Sequence, residues 1–336
     1  MRLRGKARVT ACLMLAAVVG CTNGEATGPE TSTPAATRAE RPDTTGPTPK
    51  PPGPVSLPGL IAREHTGSGL RLGAVRARTQ YAVTYQANGL TISGILDVPE
   101  GMGPFPALVL AHGYIDPAVY TTGRGLARQQ DLLARNGCAV LHTDYRNHAG
   151  SDDDPDNDVN LRLGYTEDVI AAVKALCGSG RPETDGDRIG LLGRSMGGGV
   201  VYNTLVVTPG LVDAAAVFAP VSSRPEENID RFQRPDGDPV VAEIEAAHGT
   251  PEENPAFWRE ISPITYADRV TEPLLIQHGT ADGTCPLKWS EQTAAAFAAA
   301  GVDVRLVKQP GEGHTFHARW RSSMDTTMDF FARHLR

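Results

Sequence analysis

Between residue 79 and the C-terminus, short and almost wholly apolar runs alternate with longer stretches in which apolar side chains recur every three or four positions. Two runs, residues 81–87 (YAVTYQA) and 90–99 (LTISGILDVP), lie close enough to form an antiparallel pair. The rhythm then changes. Residues 106–113, 138–145, 188–195, 214–220, 273–279 and 304–310 read as buried strands, most of them near-continuously apolar through their centres. Helical spacing occupies 124–137, 165–178, 195–207, 289–301 and 322–335, and several of these segments end in a glycine suited to a C-cap. The alternation predicts an α/β fold, a mostly parallel sheet of about eight strands with helices on both faces. Residues 221–262, rich in Glu, Asp and Pro, break the rhythm and predict a small helical cap inserted over the sheet.

The first fifty-eight residues follow neither period. Arg2, Arg4, Lys6 and Arg8 precede an uncharged stretch, residues 9–20, that has the length of a signal-peptide core and is too short to span a membrane comfortably. It ends in Val18-Val19-Gly20-Cys21, which resembles the lipobox of bacterial lipoproteins, with Cys21 as the residue to be acylated; an ordinary secretory signal with a cysteine near its cleavage point is the alternative. The expected organisation is a signal peptide over 1–20, a lipidated Pro/Thr-rich tether over 21–58 that cannot bury enough apolar surface to order its backbone, and a catalytic domain over 59–336. Export to the extracytoplasmic face of the cell membrane, through an N-terminal lipid anchor, follows from that reading. Of the five cysteines, Cys138, Cys177 and Cys285 remain for the folded part; a Cys138–Cys177 bridge and three buried thiols are both open.

With 40% hydrophobic residues, 336 positions and a formal net charge of -7, the chain can fold as an enzyme-sized body. No sustained Lys/Arg cluster is present to neutralise a row of phosphates, which argues against nucleic acid as a partner. The acidic run 151–160 alternates carboxylates at Asp154, Asp156 and Asp158, but it lacks the glycine and the glutamate of a calcium loop and reads as a solvated loop. No zinc-ligand set or phosphate-cradling loop stands in a suitable place, so no metal and no cofactor are expected.

Gly193-Arg194-Ser195-Met196-Gly197 fits G-x-S-x-G at the end of a predicted strand and the start of a predicted helix, the setting a nucleophile elbow requires. A serine hydroxyl is a poor nucleophile at neutral pH without a base and a group to orient it. Asp282 falls just after the 273–279 run and His314 just after 304–310, so all three residues lie beyond the carboxyl ends of parallel strands, where sites form. The order Ser195, Asp282, His314 differs from the orders of the chymotrypsin and subtilisin types. His112, His148 and His317 lie near the same edge without fitting that order and read as structural. Arg194 has no evident task, and its long side chain either finds a carboxylate or reaches solvent.

Over residues 78–336 the sequence resembles the α/β-hydrolase superfamily, and within it the group of prolyl-oligopeptidase-type and dienelactone-hydrolase-type enzymes. "HGTADGTCP" is similar to that group's H-G-x-x-D-x-x-V-P, with Cys285 where valine is common; "GEGH" is similar to G-x-G-H and makes His314 the base. "DYRNHAGS" resembles D-x-R-G-x-G-x-S, with Asn147 and Ala149 in place of glycines. The resemblance implies an oxyanion hole made by the backbone N–H groups of Met196 and Tyr114. The expected function is a serine hydrolase that cleaves carboxylic esters, small-molecule or lipid, through an acyl-enzyme. A peptidase or amidase acting on small peptides is the alternative, lowered by an N-terminal segment too short for the propeller of full-length prolyl oligopeptidases. A catalytically silent binding protein is the least favoured reading, since every catalytic position is filled.

Overall fold

The computed structural model describes residues 52–336. The signal-peptide and lipobox readings, with Cys21 and the tether as far as residue 51, lie outside the described residues. Ser56 caps helix α1 (Leu57–Ile61) by accepting the Gly59 N–H at 3.0 Å, and Leu57 and Leu60 are buried.

The strands are β1 (Gly67–Val75), β2 (Gln80–Ala87), β3 (Leu90–Asp97), β4 (Phe105–Ala111), β5 (Ala139–Thr143), β6 (Thr184–Arg194), β7 (Ala214–Phe218), β8 (Leu274–Gly279) and β9 (Val304–Gln309). They form one sheet in the order β1-β2-β3-β5-β4-β6-β7-β8-β9, antiparallel from β1 through to β5 and parallel from β5 to β9. The fold is that of the α/β-hydrolases, with β2 and β3 paired as the sequence predicts. The extra strand, β1, is one the hydrophobic pattern does not announce: only Leu70 packs toward the core, and most of GSGLRLGAV is exposed.

Helices α2 (Ala127–Arg135), α3 (Gly164–Cys177) and α4 (Met196–Val207) follow β4, β5 and β6, while α8 (Leu287–Ala299) follows β8 and α9 (Trp320–His334) closes the chain. α3, α4 and α8 cover one face of the sheet, with Val169, Val173, Val201, Leu205 and Phe297 in the core there. α2 and α9 cover the other, through Leu133, Met324 and Phe331 against Leu108, Leu192 and Leu275. This division settles the cysteines. Cys138 packs on the α2/α9 face and Cys177 ends α3 on the opposite face, so no bridge joins them. All three thiols are free, and only Cys285 is buried.

Between β7 and β8 lie α5 (Pro225–Asn228), a π turn (Ile229–Gln233), α6 (Val240–His248) and α7 (Pro255–Glu260). They carry a small apolar cluster of their own, Ile229, Val241, Ile244, Trp258 and Ile261. The chain leaves β4 toward β5 on one side and returns from β5 to β6 on the other, so the sheet's switch point lies at β4 and β6, whose carboxyl ends face the loops after β8 and β9.

Candidate active site

The turn from β6 into α4 is fixed by what cannot fit there. A Cβ on Gly193 would run into the backbone of Gly197 and the Val201 side chain; one on Gly197 would run into the carbonyls of Ala111 and His112. With β6 and α4 that close, Ser195 is forced to φ +55°, ψ -123°, a region that costs a non-glycine residue roughly 1–3 kcal/mol. Hydrogen bonds hold it there: its N–H donates to Phe218 O at 3.0 Å, and its carbonyl accepts from Gly198 at 2.9 Å and Val221 at 3.1 Å. Met196 is the first residue of α4, where a helix leaves its N–H groups without an intrahelical partner and the helix dipole favours negative charge.

Asp282 and His314 meet. His314 Nδ1 lies 2.9 Å from Asp282 Oδ2, which leaves Nε2 as the nitrogen available to Ser195. The carboxylate is fully buried, and its other oxygen accepts from the N–H groups of Thr284 at 2.8 Å and Cys285 at 2.9 Å. Burial alone would raise its pKa. The hydrogen bonds from His278 and His314 outweigh burial and hold it well below the usual carboxylate range.

His278 is a contributor that sequence reasoning quoted without giving it a task. Its Nε2 lies 2.9 Å from Cys285 O and 3.3 Å from Asp282 Oδ2, both acceptors, so that nitrogen carries the proton while Nδ1 accepts from Ser290 Oγ at 2.7 Å. Glu312 is another. Its carboxylate accepts from the N–H groups of His317 and Arg319, pinning the loop that carries His314, and a Cβ on Gly279 would strike the backbone of that same loop. Buried carboxylate-to-backbone contacts of this kind leave no periodicity to read. Cys285 is no rival nucleophile: burial and the Asp282 charge push its thiol up to about 12.

Gly113 brings the loop after β4 against the nucleophile, where a Cβ would lie 3.1 Å from Ser195 Cβ. This places the Tyr114 backbone beside the elbow. Behind it, Tyr145 Oη donates to His112 O at 3.1 Å, and His112 Nδ1 sits 2.7 Å from Gly113 O. Burial lowers the His112 pKa to about 4, so the ring is neutral and structural. Asp144 closes the layer, accepting from Ser93 Oγ and Tyr120 Oη at 2.7 Å each and from Gly123 N–H at 3.0 Å. His148 is fully buried with both ring nitrogens on carbonyls, and His317 is exposed; neither approaches the role of base.

Asn147 and Ala149, standing where the resembling group has glycines, keep positive φ angles of 67° and 53°. Asn147 is held there by paired hydrogen bonds with the backbone of Asp154. The acidic run is spent locally: Asp152 accepts from Thr91 N–H, while Asp154 pairs with Arg146 and Asp158 with Arg162. Arg194 takes neither expected course. It donates to the hydroxyl of Thr315, the residue after His314, and makes no ion pair among the described residues.

The model of the prolyl oligopeptidase family matches residues 125–336, more than half of the chain and a span that holds Ser195, Asp282 and His314. The chain belongs to the prolyl oligopeptidase family. The family match does not include residues 112–114, so the placement of Tyr114 rests on geometry. Similar curated proteins include the uncharacterized peptidase YuxL of Bacillus subtilis (strain 168), 29% identical over 286 residues, 82% of this chain and 40% of the relative. Dipeptidyl aminopeptidase BIII of Pseudoxanthomonas mexicana is 28% identical over 218 residues, 63% of this chain and 30% of the relative. The chain thus spans well under half the length of these relatives. Among solved structures, uncomplexed Pyrococcus horikoshii acylaminoacyl peptidase superposes with a TM-score of 0.60 at 22% identity, covering 82% of this chain and 43% of that one. Acetyl xylan esterase 1 from Thermoanaerobacterium sp. JW/SL YS485 superposes at 0.58 and 19% identity, covering 80% and 88%. At these identities the superpositions speak for the fold alone.

Proposed function

We propose that this member of the prolyl oligopeptidase family hydrolyses small carboxylic esters through an acyl-enzyme on Ser195. The observation that carries the reading is the 2.9 Å contact of His314 with a buried, ionised Asp282, on loops that face a strained Ser195. His314 Nε2 takes the hydroxyl proton as Ser195 Oγ bonds to the carbonyl carbon, and the N–H groups of Met196 and Tyr114 receive the oxyanion. Collapse expels the alcohol with that proton. Water, deprotonated by His314, then attacks the acyl carbon and releases the acid, restoring Ser195.

The same residues cleave an amide with one added demand, since the amine must be protonated by His314 before it departs. The names of the curated relatives favour that second reading, a peptidase acting on small peptides. Turnover of p-nitrophenyl acyl esters set against aminoacyl p-nitroanilides separates the two, and rates confined to the anilides make it a peptidase. A fluorophosphonate should label Ser195 and leave Ser195→Ala unmarked; a folded wild type that takes no label refutes the hydrolase reading. Lipid-anchored export is a separate proposal, supported by the basic start, the apolar core and Cys21. Mass analysis of the mature N-terminus tests it, and an unmodified Cys21 ends it.

A further inference from the structure

Leu161 and Arg162 have φ angles of +55° and +58°, two successive left-handed residues of types that rarely adopt that backbone even singly. Such a pair persists only where its surroundings over-determine it. Here two different parts of the molecule do so. The Leu161 side chain packs into the cap's apolar cluster of Ile229, Val241, Ile244, Trp258 and Ile261. The Arg162 side chain turns toward the loop after β4, where its guanidinium lies over the Tyr114 ring, 4.6 Å from the centre. Arg162 is fixed by Asp158 at 2.7 Å, and its N–H donates to Asn157 O at 2.7 Å. Tyr114 is 54% exposed, and among the described residues its hydroxyl makes no hydrogen bond. The guanidinium thus covers one face of a half-exposed ring whose backbone lies beside Ser195.

We propose that Arg162 is a positioning residue that sets the Tyr114 N–H for the oxyanion, and that Leu161 couples it to the cap, whose Arg231 donates to the Gly283 and Thr284 carbonyls beside Asp282, so that an acyl group packed against the cap tightens the oxyanion hole. The inference rests on the reading of the Tyr114 N–H as an oxyanion donor. It deepens that reading by naming what holds the donor and which substrates engage it. A cap that acts through the transition state spends binding energy on rate, so larger acyl groups should raise kcat rather than merely lower KM.

The test uses the full chain and a series of p-nitrophenyl esters of increasing acyl length, or aminoacyl p-nitroanilides where these are the compounds turned over. Arg162→Gln should lower kcat about tenfold, as small misplacements of a catalytic group do, with KM and the thermal midpoint nearly unchanged. Arg162→Lys should recover part of the loss, since an ammonium can also sit on the ring face. Leu161→Ala should flatten the rise of kcat with acyl length while Arg162 remains in place. A double-mutant cycle with Tyr114→Ala should be strongly non-additive. The proposal falls if Arg162→Gln keeps wild-type kcat across the series, if only KM changes, or if lost activity tracks a lowered thermal midpoint in every variant. Labelling of wild-type Ser195 by a fluorophosphonate tells its failure apart from that of the hydrolase reading: with Ser195 labelled, an unaffected Arg162→Gln refutes the coupling alone.

Discussion

The nucleophile and its acid–base partners sit at the same edge of the parallel strands, yet they are held by different physics. Around Ser195 the constraint is shape: Gly193 and Gly197 admit neighbouring backbone where any side chain would collide, and the serine's strained backbone is the consequence. Around Asp282 and His314 the constraint is hydrogen bonding, from His278, the Thr284 and Cys285 N–H groups and the Glu312 loop. An elbow held by shape should fail through misfit. A network held by hydrogen bonds should fail through charge and pH.

The largest effect expected is on the elbow's one reactive atom. Ser195→Ala should lower kcat by about a millionfold, as loss of such a nucleophile does elsewhere, with a thermal midpoint no lower than wild type because the chemistry and the shape are separable. Asp282→Asn should cost about 10⁴-fold in kcat, since the amide presents the wrong partner to His314. That variant also reads the charge. The Asp282 carboxyl is held below its ordinary value in the fold, so its ionisation stabilises the protein above about pH 4 and the benefit fades as pH falls lower. The gap in unfolding free energy between wild type and Asp282→Asn should accordingly narrow in acid titrations, and a constant gap would contradict this account.

Gly197→Ala is the counterpart on the shape side. Its methyl group has only the Ala111 and His112 carbonyls to meet, and a loss of about 1–3 kcal/mol in stability should appear in denaturant unfolding without pH dependence. The smallest effect concerns thiols. At pH 8 iodoacetamide should modify the exposed Cys177 and spare Cys285 in the folded protein, because burial and the Asp282 charge hold the Cys285 thiol up near 12. Rapid alkylation of Cys285 would mean that the acid loop opens.

The sequence made β4 to β8 legible because their apolar cores are buried on both faces, and the edge strand β9 legible because Val304, Leu306 and Val307 still pack on the core; the three reactive residues are legible because each follows a parallel strand. What escaped it shares a physical cause. β1 pairs through its backbone and buries little, so its side chains carry no period. His278 and Glu312 act through hydrogen bonds to neighbouring loops, and Arg194 through Thr315, relations set by how the loops fold back. The left-handed turn at Leu161 and Arg162 has no glycine to mark it; its conformation is imposed by the cap and by Tyr114. The sequence left the Cys138–Cys177 bridge open because the alternation of strands and helices does not say on which face of the sheet each cysteine lies.

β1 also bears on how the molecule keeps to itself. Among the described residues its outer edge pairs with no further strand, and a long regular edge of that kind invites growth from chain to chain. This one is irregular: its pairing with β2 shifts register between Ser68 and Arg71 and again between Leu72 and Val75, and Gly69 turns left-handed inside it. A second chain meeting that edge finds no continuous row to zip onto, and Arg71 stands in the middle as a charge that would have to be stripped of water. The stretch with the weakest sequence signature thus makes its edge of the sheet a poor template for another strand.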